Sequence, residues 1–219
     1  MKGLLIAIEG PDGAGRTSQT RAIAEWLESR GHLVTLLRLK QSRLARETLQ
    51  SLRRSMDIAE RSLFLLYAAD LADLLHQEAE AVLDKGGIVL FDRYTLTPRV
   101  RAQAHGLDPG WLKDVLSFAP PADLTLLLEA PPRERLRRLF ARRRFLQPRE
   151  TGELRPTPDL LPQAIRYQRR LGRLYADAGE EAGVVRIDAG KPQDAVLEAT
   201  RQAVQHLLRR AARAKGGDK

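Results

Sequence analysis

The chain contains no cysteine and only four histidines among its 219 residues. Without cysteine it cannot form a disulfide framework, a thiolate nucleophile or a cysteine-ligated metal site. The histidines are scattered and show no metal-ligand spacing, so zinc and redox chemistry are not indicated.

No apolar run approaches the roughly 20 residues that cross a bilayer, and the apolar stretch at residues 4–8 is too short for a signal peptide. We therefore expect a cytoplasmic protein without a membrane-spanning segment.

Aromatic residues are also scarce, at 5% of the chain, and they are not interleaved with the arginines. Stacking platforms for single-stranded nucleic acid need such interleaving, so specific nucleic-acid binding is not expected. Positive charge is in excess: the net charge is +9, with 30 arginines and seven lysines. Arginine binds phosphate through two parallel hydrogen bonds, which favours a polyanionic ligand. A heat-adapted or GC-rich source with many surface ion pairs explains the same composition without any ligand.

The order of apolar and amphipathic segments predicts an α/β fold, a parallel sheet covered by helices. The length fits one domain with one extra segment. Short apolar runs bounded by Gly, Pro or Asp predict buried strands at residues 4–9, 33–39, 88–92, 124–129 and 184–187. Apolar residues at helical spacing predict helices at residues 17–30, 62–83, 132–144 and 193–212.

The remaining segments are assigned by their lack of periodicity. Residues 95–108 and 145–162 are long enough to be functional loops. The chain after residue 210 is expected to fray. Gly31, Gly86 and Gly183 stand where helix C-termini are expected. We predict a single domain over residues 1–214, with an arginine-rich lid at about residues 142–162 and a flexible tail at residues 215–219.

The segment directly after the first predicted strand carries the clearest chemistry: it reads Gly10-Pro11-Asp12-Gly13-Ala14-Gly15-Arg16-Thr17. Apart from Arg16 it matches the phosphate-binding pattern G-x-x-x-x-G-K-[ST]. Glycines let successive backbone N–H groups face a phosphate, and the following helix directs its positive dipole end at the same anion. Thr17 supplies the hydroxyl that such loops place on Mg²⁺. The alternative is that the glycines only form a tight turn between a strand and a helix. The strand before the segment and the helix after it are, however, the context that the phosphate-binding motif requires.

Arg16 stands where the pattern has lysine, the cation that reaches the β- and γ-phosphates. Arginine is bulkier and forked, so it holds phosphate less closely or from a different angle. Nucleotide binding with slow or lost catalysis is therefore an alternative that the sequence leaves open.

A second candidate segment is the predicted strand at residues 88–92, which ends in Asp92, Arg93 and Tyr94. Ligands of open α/β sheets gather at the carboxyl ends of the strands. If this strand lies beside the first, Asp92 can hold the hydration shell of Mg²⁺ and Arg93 can neutralise phosphate. A structural ion pair explains the tripeptide equally well when it is considered alone.

Residues 133–149 contain eight arginines and a single acid in their helical part, Glu134. Such a series of arginines usually forms the solvent-exposed basic face of a helix. Here it passes directly into a polar loop with Gly152 and several prolines, which is typical of a mobile lid that carries arginines to a transferring phosphoryl group. We favour Arg142, Arg143 and Arg144, because they stand between helix and loop.

Taken together, these segments resemble the thymidylate kinase family of nucleoside monophosphate kinases over nearly the whole chain. The resemblance is carried by residues 8–15, 65–70, 92–94, 106–108, 111–112, 121–128 and 187–189. It implies a three-layer P-loop kinase fold with a five-stranded parallel sheet, ATP and Mg²⁺, transfer of the γ-phosphoryl group to dTMP, and commonly a homodimer. It also implies that Asp12 meets the acceptor sugar hydroxyl, Tyr67 stacks on the base and Arg93 holds the acceptor phosphate. Tyr67 equally suits a core position, since it lies on the apolar stripe of its helix.

The departures from the family pattern fall mostly in the acceptor site. Family members usually have arginine where this chain has Leu71, and Arg-Glu-Pro-Gly-Gly where residues 38–42 read Arg-Leu-Lys-Gln-Ser. They have Ser-Ser and Tyr-Gln pairs where this chain has Thr97-Pro98 and Arg101-Ala102. Without an arginine at residue 71 the site lacks one charge-assisted hydrogen bond to the monophosphate, which typically contributes about 1.5–3 kcal/mol to binding. Another basic residue could bind the phosphate of this or a different phosphorylated molecule from another side; the candidates are Arg38, Lys40, Arg99 and Arg101.

The first hypothesis is thus an ATP-dependent phosphotransferase of thymidylate kinase type, acting in nucleotide biosynthesis. The alternatives are a catalytically weak nucleotide-binding regulator and a kinase for another phosphorylated acceptor. Candidate catalytic residues are Arg16, Asp92, Arg93 and Arg144, and candidate metal ligands are Thr17 and Asp92. Candidate ATP-binding residues are Gly10, Asp12, Gly13, Ala14, Gly15, Arg16, Thr17, Ser18, Arg142 and Arg143. Candidate acceptor-binding residues are Asp12, Tyr67, Arg93 and Arg101.

Overall fold

A computed structural model describes residues 3–55, 58–143 and 160–216. Its centre is a parallel sheet of β1 (Leu4–Glu9), β2 (Val34–Arg38), β3 (Ile88–Asp92), β4 (Leu124–Glu129) and β5 (Val184–Asp188). The strand order is β2-β3-β1-β4-β5, with Ile8 of β1 opposite Asp92 of β3. The first and third strands are therefore neighbours, and the segments that follow them meet at one edge of the sheet. The predicted five-stranded parallel sheet is confirmed.

The sheet is covered by helices on both faces. They are α1 (Arg16–Glu28), α2 (Arg46–Ser55), α3 (Glu60–Leu74), α4 (Glu80–Asp84), α5 (Leu96–Ala104), α6 (Pro109–Val115), α7 (Pro132–Arg143), α8 (Leu160–Gly179) and α9 (Gln193–Gly216). One π-helical turn, Leu75–Ala79, joins α3 to α4. Within the described ranges no helix is both long and apolar enough to cross a membrane.

Alternating side chains of the buried strands separate two apolar layers. Leu5 and Ala7 of β1 face a cluster with Phe64, Leu71 and other residues of α3. Ile6 and Ile8 face the opposite cluster, which contains Ile23 and Leu27 of α1 and Val196, Val204 and Leu207 of α9. Successive strand residues point to opposite faces, so a fully apolar strand needs helices on both sides. This gives the three layers of the α/β P-loop kinase fold.

One sequence expectation about secondary structure was wrong, and three helices, α2, α6 and α8, were not predicted. Residues 95–108 are not an irregular loop, because Leu96–Ala104 form α5. Pro98 lies in its first turn, where a missing N–H breaks no hydrogen bond of the helix, so the proline does not prevent the helix from forming. Helix α8 was not predicted at all, although its buried side chains recur at helical spacing: Ala164, Tyr167, Leu171, Tyr175 and Ala178.

The predicted lid and tail fall largely outside the described residues. Residues 142 and 143 belong to α7 and residues 160–162 to α8, while the stretch between them is not described. Residues 215 and 216, which were assigned to the tail, belong to α9. The three glycines predicted at helix ends have the left-handed backbone that such positions require, with φ near +80° at Gly31, Gly86 and Gly183.

Candidate functional site: a phosphate loop ringed by arginines

The loop between β1 and α1 has the backbone that a phosphate cradle needs. Gly10, Gly13 and Gly15 all have positive φ, between +82° and +133°. A Cβ atom at Gly10 would overlap the carbonyl oxygen of Leu128, so no larger residue fits there. Helix α1 begins at Arg16 with Gly15 as its N-cap, and no side chain caps its first N–H groups. These amides face the same space as the loop and suit an anion.

Arg16, the departure from the loop pattern, lies with its guanidinium inside the loop. Its side chain is 6% exposed. Nη1 donates to the carbonyl oxygens of Gly10 and, at 2.6 Å, Pro11. Nε donates to Asp92 Oδ1 at 3.3 Å, and Nη2 to Asp12 Oδ1 at 3.4 Å. The guanidinium is therefore bound to the loop's own backbone and to both acids of the site, an arrangement that the compact ammonium of lysine cannot reproduce.

Asp92, the last residue of β3, contacts both the start of α1 and the end of β2. The Thr17 hydroxyl donates to Asp92 Oδ2 at 2.8 Å, and Arg38 Nε, at the end of β2, lies 3.0 Å from the same oxygen. Burial raises the pKa of Asp92, but the guanidinium groups of Arg16 and Arg93 and the other neighbours outweigh it and lower the pKa below its usual value. The carboxylate is thus ionised at neutral pH.

Asp12 in the loop is the second acidic centre. Three guanidinium groups converge on its carboxylate, from Arg16, Arg93 and Arg101. Burial and the neighbouring Arg16 lower the pKa of Arg93 to about 10, so it remains charged at neutral pH. The attraction of Asp12 outweighs burial at Arg101 and raises its pKa. Positive charge therefore exceeds negative charge here, which is the electrostatic condition for binding a phosphate group.

A cavity of about 510 Å³ opens over the loop. It is bordered by the loop, by Arg38 and Lys40 after β2, by Asp92 and Arg93 after β3, by Arg138 and Arg142 of α7, and by Ala189 and Lys191 after β5. Its lining comes from the carboxyl ends of neighbouring strands, as expected for ligand sites of open α/β sheets.

Tyr67, the predicted base-stacking residue, does not line this cavity but contacts Lys40, which does. The ammonium of Lys40 lies 4.8 Å from the centroid of the Tyr67 ring, within cation–π range. Lys40 has an unusual φ of +77°. The buried carboxylate of Asp70, one helical turn after Tyr67, accepts hydrogen bonds from the backbone N–H groups of Lys40 and Ser42. These bonds tie the loop after β2 to α3 and hold Lys40 over the aromatic ring.

The structure brings most of the predicted site residues together. Gly10, Gly13, Ala14, Gly15, Thr17 and Ser18 form the loop, and Arg16, Asp12, Asp92, Arg93 and Arg101 form one contact network. Arg142 lines the cavity, whereas Arg144 and the side chain of Arg143 lie outside the described residues. Arg138 and Lys191 also line the cavity and were not among the candidate site residues. Arg38 was considered from the sequence as a possible phosphate ligand, but the strand order was needed to place it beside Asp92.

The oxygen atoms of Thr17 and Asp92 suit a magnesium ion. Mg²⁺ prefers hard oxygen ligands and is usually held by one or two protein groups together with water and substrate phosphates. Among the described residues no group of three or more His, Cys, Asp or Glu side chains could hold a metal by itself. A hydroxyl and a carboxylate beside a phosphate cradle fit an ion that arrives with a nucleotide, and Thr17 and Asp92 are the residues that would hold it.

The parallel sheet, the phosphate loop after β1 and the acid at the end of β3 define this protein as an α/β P-loop kinase. The model of the family described as thymidylate kinase matches residues 8–199, so the chain belongs to the thymidylate kinase family. A thymidylate kinase of Gluconobacter oxydans is 31% identical over 217 residues, which cover 94% of this chain and 96% of that protein. These findings confirm the resemblance seen in the sequence.

Two archaeal relatives are also similar. A probable thymidylate kinase of Archaeoglobus fulgidus is 30% identical over 207 residues, covering 94% of this chain and 96% of the relative. One of Pyrococcus horikoshii is 36% identical over 148 residues, covering 65% of this chain and 72% of the relative. The family and these relatives support a thymidylate kinase-like phosphotransferase.

Leu71, where the family pattern has arginine, is fully buried in the apolar cluster of α3. We expect Leu71→Arg to lower the free energy of unfolding by about 3–5 kcal/mol, because it places an unpaired charge in the core. Denaturant unfolding measures this, with Leu65→Arg at the exposed side of the same helix as the control. A stable Leu71→Arg protein with tighter nucleoside monophosphate binding would show instead that residue 71 reaches the ligand.

Proposed function

We propose that this protein transfers the γ-phosphoryl group of ATP to a nucleoside monophosphate, with dTMP as the preferred acceptor and Mg²⁺ as the metal. The observation that carries the proposal is the convergence on Asp12 of the phosphate-loop cation, Arg16, and two further arginines from the neighbouring strand end and α5. Through Asp12, the phosphate loop that would bind the donor lies next to Arg93 and Arg101, which would bind a second phosphate group. A phosphoryl group passing between two nucleotides needs both.

On the donor side, the loop amides and Arg16 bind the ATP phosphates, while Thr17 and Asp92 hold the metal. The metal, when bound, neutralises charge on the phosphate oxygens. Arg142 lines the cavity and supplies positive charge to the phosphoryl group during its transfer. Arg143 and Arg144, the next two residues of the chain, are proposed for the same role. Phosphoryl transfer depends mainly on positioning and charge stabilisation, which is what this set of side chains provides.

On the acceptor side, Arg93 and Arg101 bind the monophosphate, and Tyr67 provides an aromatic surface for the base. Both arginines are now on the Asp12 carboxylate, so a phosphate that binds them competes with Asp12. Asp12 then becomes available to a sugar hydroxyl of the acceptor. Asp92 orients the attacking oxygen. No stronger base is required, because the transition state is loose and the bond to the attacking oxygen is little formed in it.

The experiment is a coupled assay with ATP, Mg²⁺ and each nucleoside monophosphate in turn. We expect diphosphate formation with dTMP at the highest kcat/KM and no turnover when Mg²⁺ is chelated. The absence of diphosphate from every acceptor would contradict the proposal. Light scattering of the same preparation tests the homodimer that we propose along with this function.

A second candidate function, nucleotide binding with little catalysis, is favoured by one specific observation. Arg16 donates to the carbonyl oxygens of Gly10 and Pro11 as well as to both acids, so its donors are already engaged by the loop. Under this candidate, Arg16→Lys raises turnover sharply, since a compact ammonium reaches the β- and γ-phosphates. Under the first candidate, the phosphates draw Arg16 away from the carbonyls and Arg16→Lys changes kcat by less than about tenfold. A kinase for another phosphorylated acceptor would appear in the same assays as turnover of a monophosphate other than dTMP.

A further inference from the structure

Glu9, the last residue of β1, is a buried carboxylate that none of the preceding roles uses. Its side chain is fully buried directly before the phosphate loop. Oε1 accepts hydrogen bonds from the backbone N–H groups of Tyr94 at 2.8 Å and Leu96 at 2.9 Å. Oε2 accepts from the N–H group of Thr97 at 3.2 Å and from the Thr97 hydroxyl. Among the described residues, no arginine or lysine forms an ion pair with it, so its partners are the segment that follows β3.

Glu9 and the residue before it, Ile8, bind the backbone at Arg93 and directly after it. Arg93 has a φ of +74°, a left-handed conformation that is uncommon for a residue with a side chain. Its own N–H donates to the carbonyl oxygen of Ile8 at 3.1 Å, and the next N–H, that of Tyr94, donates to Glu9. The last two residues of β1 thus hold the backbone of Arg93 in the conformation from which its side chain reaches Asp12.

The same carboxylate caps α5. The N–H groups of Leu96 and Thr97 open the first turn of that helix, and no side chain of the helix's own N-cap residue binds them. Arg101 lies further along the helix and binds the other oxygen of Asp12. The Tyr175 hydroxyl of α8 donates to the Thr97 hydroxyl at 2.9 Å and extends the network to a third element. Glu9 therefore fixes both acceptor-side arginines relative to the loop that begins at the next residue, Gly10.

We infer that Glu9 is a positioning residue that sets the distance between the phosphate loop and the two arginines on Asp12. It does not touch the reacting groups; it holds Arg93 and the start of α5 in place. The inference deepens the proposed function and rests on it for its kinetic readout, whereas its structural readout is independent of catalysis.

The test is Glu9→Gln, which keeps one acceptor oxygen and replaces the other with an NH₂ group that faces the Thr97 N–H. We expect kcat/KM for dTMP to fall roughly 10- to 100-fold, as for a small displacement of a substrate-binding group, with KM for ATP changed less than about twofold. Hydrogen exchange of the amides in residues 93–104 is expected to rise, with α1 and β4 unchanged. A merely structural role would raise exchange throughout the protein and weaken both substrates equally.

Thr97→Val is the second variant, in case Glu9→Gln does not fold, because it removes one hydroxyl and keeps the backbone bonds. A smaller selective loss for dTMP and the same local rise in exchange are expected. Glu129→Gln at the end of β4 is the matched control, since Glu129 accepts hydrogen bonds from Arg186 at the surface and, within the described ranges, its side chain has no hydrogen bond or ion pair with α5. Unchanged exchange at residues 93–104 and unchanged dTMP kinetics in Glu9→Gln would overturn the inference. If the wild-type protein shows no turnover, the proposed function fails, and the exchange result still decides the role of Glu9.

Discussion

Replacement of Arg16 by methionine is expected to lower kcat with ATP and dTMP by about 10²- to 10³-fold, which corresponds to about 2.7–4 kcal/mol of lost transition-state stabilisation. Methionine keeps an unbranched, apolar side chain as far as the fourth atom and removes the guanidinium charge that lies between Asp12 and Asp92. Asp92 retains Arg38 as a partner and Asp12 retains Arg93 and Arg101, so the loop still has its other contacts. Single-turnover kinetics isolates the chemical step.

The control measurement for Arg16→Met is its affinity for ATP. Isothermal titration with ATP is expected to show a smaller change than kcat, because the loop amides still bind the phosphates. Thermal unfolding checks that the loop is intact. A wild-type rate that is already very low and does not change in Arg16→Met would contradict the expectation and favour the nucleotide-binding regulator.

Replacement of Asp92 by asparagine is expected to have the second large effect, on both catalysis and stability. We expect kcat to fall about 10³-fold, because Asp92 is the carboxylate that would hold the metal and is bound to Thr17. The free energy of unfolding is expected to fall by about 3 kcal/mol, because Arg16 and Arg38 lose a buried partner. Steady-state kinetics over a range of Mg²⁺ concentrations, together with urea unfolding, measures the two effects separately.

The pH dependence of stability gives an independent check on Asp92. Its pKa is lowered in the folded protein, so the folded state binds a proton less readily than the unfolded chain, whose carboxyl has a pKa of about 3.9. The resulting stabilisation is complete above that value and is lost as the pH falls through the folded pKa. Below about pH 4 the wild type is therefore expected to lose stability more steeply than Asp92→Asn. Parallel curves for the two proteins would show that Asp92 is not held in this network.

Much of the fold follows from local patterns. The buried strands are short apolar runs. All five predicted strands agree with the structure to within one residue at each end, and those at residues 4–9, 88–92 and 124–129 match it. Helix α5 was missed because a proline and two arginines interrupt its apolar spacing, and because its first N–H groups are satisfied by Glu9, a residue of another element. No pattern within residues 95–108 contains that information.

The proposed acceptor side of the site was the least predictable part. Tyr67 was found from the resemblance, but the position of Lys40 over its ring depends on Asp70 holding the loop after β2. Leu71 was recognised as a departure from the family pattern, while its complete burial is a property of the packed core. Contacts of this kind join residues that are about 30 positions apart, so spacing along the chain does not reveal them.

The sequence by itself determined the class of fold and the phosphate loop, and it named most of the charged residues that the structure places around that loop. These features are short-range, because a strand, a turn of glycines and the start of a helix are encoded within about a dozen residues. Only the tertiary structure decided which groups meet. Arg101 reaches Asp12 across 89 positions of the chain, and the direction in which Arg16 points depends on carbonyl oxygens and carboxylates around it. Such contacts are decided by strand order and packing, which arise from the burial of the whole sheet between its two layers of helices.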